Sequence, residues 1–193
     1  MTDEDDLIAA LRARQAAERG YADFDAWPDR DIRDIGLGHD FIDALRSTFN
    51  IDLPAPVAVP AGSDPPDLIS GSVGIELTEL VDTDLVRTAA RHKRAGTRVH
   101  LYRDWSQEQL VTRLGEIVAR KDRGRPKHDT PYADYWLVVH TAEPGIDPSM
   151  MALYLKAWNP PVCKLLTRAF VLMSYFPDFG GRPLFELPLR TAA

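Results

Sequence analysis

The sequence contains a single cysteine. One thiol excludes an intramolecular disulfide framework and any cysteine-rich zinc site. Long hydrophobic runs are also missing. The longest candidate, residues 169–175, has strand length and falls well short of the ~20 residues that span a bilayer. The opening residues, Met1-Thr2-Asp3-Glu4-Asp5-Asp6, lack the basic and apolar stretches of a secretory signal. A soluble, cytoplasmic protein with no membrane partner is therefore expected. No phosphate-binding loop, dinucleotide fingerprint or GxSxG elbow is present. The histidines, His39, His92, His100, His128 and His140, form no HxxxH pair. Cys163 follows two prolines and carries no signature of a nucleophile. No internal repeat is visible.

What is there fits a globular protein. The 193 residues are 45% apolar and 27% charged, enough to bury a core without covalent or metal staples. The net charge of −6 argues, as one number, against a polyanion partner. Its distribution argues otherwise. Residues 1–86 hold 6 basic and 19 acidic side chains, net −13; residues 87–128 hold 12 and 4, net +8; residues 129–193 hold 5 and 6, net −1. A split of this kind marks either a surface for a polyanion or an acidic face that pairs with a basic one.

Residues 53–66, LPAPVAVPAGSDPP, carry five prolines and read as an extended, irregular linker. They divide the chain into a helical N-terminal extension (1–52), the linker (53–66) and an α/β domain (67–193). Helices are expected over 6–19 and 40–49. Asp67-Leu68-Ile69-Ser70 begins a hairpin that turns at Gly71-Ser72, and residues 73–81 alternate, with Val73, Ile75 and Leu77 on one side and Gly74, Glu76, Thr78 and Leu80 on the other. A helix over 84–95, stopped by Gly96, and a short strand over 99–102 follow. The next helix has the fullest set of signals. Ser106 and Gln109 form a capping box, and Trp105 and Leu110 a hydrophobic staple, for a helix reaching about Asp122. Residues 135–140 read as a central strand. Asp147-Pro148 caps another helix, with Met151, Leu155 and Trp158, and strands are expected over 168–175 and 184–187. The fold class is α/β, a mixed central sheet flanked by helices.

The hairpin brings Asp67 and Glu76 near one another. Two close carboxylates need a proton or a cation between them. With the Leu77 carbonyl they offer the oxygen donors that Mg²⁺ or Mn²⁺ takes. A solvated aspartate beside an exposed strand glutamate is the structural alternative.

Pro66-Asp67 followed, nine positions on, by Glu76 within Gly74-Ile75-Glu76-Leu77-Thr78 resembles the PD-(D/E)XK nuclease superfamily. The resemblance covers roughly residues 64–141. It implies a restriction-endonuclease-like fold, metal binding by Asp67 and Glu76, and Mg²⁺-dependent (or Mn²⁺-dependent) hydrolysis of nucleic-acid phosphodiesters. The motif's lysine is replaced by Thr78, which supplies no positive charge. Lys121 is the substitute to consider, because Leu110, Leu114, Ile117 and Lys121 form one stripe on their helix. Either Lys121 completes the catalytic set with Asp67 and Glu76, or it snorkels at the helix end. Arg87, Arg91, Lys93 and Arg94, with Arg120, Arg123, Arg125 and Lys127, would then contact phosphates. A catalytically inactive binding module of the same fold is the rival reading. The sequence is compatible with a homodimer and fixes no oligomeric state.

Overall fold

The computed structural model describes residues 30–60, 65–81, 104–123, 132–143 and 145–191, with positions 85, 88, 91, 92 and 94–96. The chain forms two compact units, one from Met1–Pro28 and Asp82–Arg103, the other from Asp29–Val81 and Asp104–Ala193. In the smaller unit, positions 85, 88, 91, 92 and 94 are helical, and Gly96 takes a left-handed φ of 70° that only glycine adopts cheaply. This fits the helix expected over 84–95. The elements expected over 6–19 and 99–102 lie outside the described residues.

The larger unit is α/β. It comprises α1 (Arg30–Phe49), β1 (Val57–Ala58), β2 (Leu68–Ser70), β3 (Val73–Glu79), α2 (Gln107–Lys121), β4 (Asp134–Thr141), α3 (Pro148–Tyr154), β5 (Val162–Cys163), β6 (Arg168–Met173), β7 (Leu184–Leu187) and β8 (Arg190–Thr191). Six strands make one mixed sheet in the order β1-β2-β3-β4-β6-β7. β2 pairs antiparallel with both β1 and β3, β3, β4 and β6 are parallel, and β7 closes the sheet antiparallel to β6. β5 and β8 form a separate short parallel pair. No described helix is long and apolar enough to cross a membrane.

The period-two pattern of the strands divides the core between the two sheet faces. Val73 and Ile75 of β3, Trp136 and Val138 of β4 and Phe170 and Leu172 of β6 pack beneath Phe41 and Leu45 of α1. Tyr135, Leu137 and Val139 of β4 and Val171 of β6 face the other way, against Leu110, Leu114, Ile117 and Val118 of α2 and Met151 of α3. Burying each of these α2 side chains contributes about 1.5–3 kcal/mol. That outweighs the ~1 kcal/mol of a helix cap. Packing therefore holds α2 on the sheet, and the cap fixes where it starts. The capping box is present: Ser106 accepts from the Gln109 amide at 3.2 Å, and Gln109 accepts from the Ser106 amide at 3.1 Å.

Three expectations are corrected. The helix expected over 40–49 begins at Arg30. Gly36 and Gly38 weaken its sequence signal, since glycine costs a helix interior about 1 kcal/mol relative to alanine. Gly38 is there for packing: a Cβ on it would lie 2.6 Å from Leu68 Cδ1. The segment 53–66 is not wholly irregular. Val57 and Ala58 pair with Ile69 and Leu68, and Ser70 Oγ donates to the Pro54 carbonyl at 2.5 Å. β6 also ends at Met173, two residues short of the expected bound.

The C-terminus of α2 is tied down by Asp122. Its carboxylate accepts from the amides of Lys164 at 2.9 Å, Leu165 at 2.9 Å and Leu166 at 3.0 Å. Bonds to a charged acceptor are worth roughly 1.5–3 kcal/mol each when isolated, less when they share one partly solvated group. Asp122→Ala is expected to lower stability by about 2–3 kcal/mol, and Asp122→Asn, which keeps one acceptor oxygen, by about half of that, read from urea midpoints. Equal losses would show that the carboxylate charge has no part in holding the loop.

Candidate functional site

The hairpin sets the geometry. Its register pairs Leu68 with Ile75 and Ser70 with Val73, leaving Gly71 (φ 59°) and Ser72 as a two-residue loop. Leu68 and Ile75 face α1. Alternation then turns Asp67, just before β2, and Glu76 toward the α2 side. Both are buried, at 8% and 7% exposure. Asp67 Oδ2 accepts from the Leu77 amide at 2.7 Å, which fixes its carboxylate against β3.

Lys121 arrives from α2, at the end of the stripe Leu110, Leu114, Ile117. Its Nζ lies 2.5 Å from Glu76 Oε1 and 3.4 Å from the Leu77 carbonyl. The other Glu76 oxygen, Oε2, accepts from the Tyr135 hydroxyl at 3.1 Å. Burial, then the negative charges of Glu76 and Asp67, push the Tyr135 phenol above its ordinary pKa, so it stays protonated and acts as a donor. Arg120, the residue before Lys121, places Nη2 3.5 Å from Thr78 Oγ1. Two helix cations therefore stand beside β3, Lys121 at Glu76 and Arg120 at Thr78.

The structure brings together three of the residues singled out above: Asp67, Glu76 and Lys121. Sequence reading missed Tyr135. Its signal was parity: in β4 it shares a face with Leu137 and Val139, the face toward α2. Its register partner is Gly74, which has no side chain to fill the space beside Glu76. Arg120 stood among the basic residues, but its closeness to Thr78 required the angle at which α2 crosses β3.

Among the remaining basic positions, Arg91 and Arg94 are exposed in the smaller unit, and Arg123 is exposed just beyond α2. Arg87, Lys93, Arg125 and Lys127 lie outside the described residues. His140 is buried on the α1 side of the sheet. Burial, then the cations Arg182 and Arg33, lower its pKa to about 4. It is a neutral core imidazole at pH 7.

The donor set at Asp67 and Glu76 is oxygen only, with the Leu77 carbonyl adjacent. No group of three or more His, Cys, Asp or Glu with metal-site geometry occurs among the described residues. That disfavours a closed zinc-type cage among those residues. The oxygen donors of Asp67, Glu76 and Leu77 are of the kind a hard cation such as Mg²⁺ takes. Comparison of the chain with protein-family models, with curated proteins and with solved structures found no match.

Proposed function

We propose that the protein is a divergent restriction-endonuclease-like hydrolase that cleaves phosphodiester bonds of nucleic acid with Mg²⁺ or Mn²⁺. The observation that carries this reading is the position of Lys121, whose ammonium reaches Glu76 from α2 although the strand itself offers only Thr78. The hairpin carrying Asp67 and Glu76, followed by a parallel strand after α2, agrees with the arrangement the motif implies.

Asp67 and Glu76 would hold the cation, which supplies Lewis-acid activation of water and of the phosphate. The chain's own groups do the rest. The Leu77 amide orients Asp67, and the Tyr135 hydroxyl orients Glu76. Lysine has three N–H donors. Two of those on Lys121 point to Glu76 and the Leu77 carbonyl, which leaves one for a phosphate oxygen as its charge grows in the transition state. Arg120 and Arg123 add sequence-independent attraction for the backbone.

The test is purified protein with Mg²⁺ or Mn²⁺ on DNA and on RNA, beside Glu76→Ala. Wild type is expected to cleave, and the variant to be slower by at least about 10²–10³-fold. No cleavage by either, or equal cleavage by both, overturns the reading. A second reading has its own support: both Glu76 oxygens already receive donors, as in a structural ion pair. A non-catalytic binding module of the same fold would then show no Mn²⁺ site dependent on Asp67.

A further inference from the structure

We propose that Tyr135 is a positioning residue of this site, holding Glu76 through Oε2 so that Oε1 is left to Lys121 and to a divalent cation; the proposal rests on the metal-dependent reading above. Nothing in the motif carries it. It comes from the way three residues outside the motif's charged set, Gly74, Tyr132 and Thr167, lock the phenol in place.

The first is Gly74, opposite Tyr135 in the β3–β4 register. A Cβ at Gly74 would lie 2.9–3.0 Å from the Tyr132 ring, so the missing side chain is the space that the ring occupies. Tyr132 in turn stacks on Tyr135, with ring centroids 5.8 Å apart and planes 27° from parallel. On the other side, Thr167 brackets the Tyr135 backbone. Its amide donates to the Tyr135 carbonyl at 2.8 Å, and its Oγ1 accepts from the Tyr135 amide at 3.3 Å. The ring therefore has little freedom, and its hydroxyl meets Glu76 at 3.1 Å.

A protonated phenol beside a carboxylate can only donate to it. The donation takes up one oxygen of Glu76 and fixes the plane of the carboxylate. A core position that needed only apolar bulk would be served by phenylalanine, without a hydroxyl to satisfy in a buried place. Groups that hydrogen-bond a metal-binding carboxylate or imidazole from outside typically set 10–100-fold of metal affinity or activity. That is the scale of effect expected here.

The experiment compares full-length wild type, Tyr135→Phe and Glu76→Ala. Mn²⁺ binding is measured by calorimetry, cleavage by kcat and KM on DNA, and folding by thermal midpoint. Tyr135→Phe is expected to bind Mn²⁺ about 10–100-fold more weakly, to lose kcat by a similar factor and to keep KM and the thermal midpoint near wild type. Wild-type Mn²⁺ affinity and kcat in Tyr135→Phe overturn the positioning role while leaving the hydrolase reading standing. A parallel loss of kcat, KM and thermal midpoint also overturns it, because a packing defect would do the same. A metal-free measurement separates the two proposals. In isotope-labelled protein, the Tyr135 ζ-carbon resonance, identified by its loss in Tyr135→Phe, is expected to shift in Glu76→Gln. If wild type binds no Mn²⁺ and the resonance does shift, the metal reading fails and the Tyr135–Glu76 coupling stands. If the resonance is unchanged, the coupling fails as well.

Discussion

Lys121→Met is expected to reduce phosphodiester cleavage by about 10²–10³-fold, the usual cost of removing one preorganised electrostatic group. It is also expected to lower stability, by about 2 kcal/mol. Glu76 is buried at 7% exposure, and methionine would leave its charge beside only the Tyr135 hydroxyl. Breaking a fully buried ion pair from one side costs about 3–5 kcal/mol. The Lys121 side chain is 24% exposed, so solvent reduces that figure. The two losses have different origins and can be separated. In the double variant Lys121→Met, Glu76→Gln the orphaned charge is gone, and most of the stability should return. Cleavage should stay absent, because both the cation and the acid have been removed. Urea unfolding and turnover on one DNA substrate give both readings. A single variant that loses stability yet keeps full turnover would make Lys121 a structural partner of Glu76 and nothing more.

Acidification should destabilise the protein through His140. The imidazole is 6% exposed, and its pKa is lowered to about 4 by burial and by Arg182 and Arg33. In the unfolded chain a histidine titrates near 6.5. Between those values the unfolded state binds a proton that the native state refuses. The state that binds more protons gains as pH falls, so native stability drops from about pH 6.5 down to about pH 4 and levels off below. Above pH 6.5 the two states bind equally and His140 contributes no slope. At 1.36 kcal/mol per pKa unit the whole window amounts to about 3 kcal/mol. Carboxylates add their own slope in the lower part of the window. His140→Gln isolates the histidine, because the neutral amide removes the titration and leaves the carboxylates in place. Wild type should lose about 3 kcal/mol more than the variant between pH 7 and pH 4. Parallel curves for the two proteins would show that His140 is protonated in the native state and that its burial carries no such cost.

Local signals made much of this fold legible. The Gly71-Ser72 turn, the alternation of β3, the capping box at Ser106 and the Asp147-Pro148 start of α3 all depend on residues within a few positions of one another. These features stand in the structure with bounds close to those expected. The stripe that ends at Lys121 was legible for the same reason, and with it the prospect that α2 would deliver a cation to the hairpin. What escaped was set by contacts distant in sequence. The first turns of α1 hide behind Gly36 and Gly38, and the need for Gly38 comes from Leu68, thirty positions on. β1 sits among prolines that argue against a strand, and it exists because β2 offers a ladder to pair with. Tyr135 looked like one more apolar residue of a central strand. Its role depends on Gly74 across the register and on the carboxylate two positions beyond that glycine.

The two margins of the six-stranded sheet share one trait. β1 is two residues long and stands between Pro56 and Pro60; β7 is four residues long and stands between Pro183 and Pro188. Proline has no amide proton, and an unpaired strand edge recruits a second chain through its free amides. Each margin is thus closed off at both ends by a residue that cannot extend the ladder. Each margin therefore offers an added strand only a short ladder.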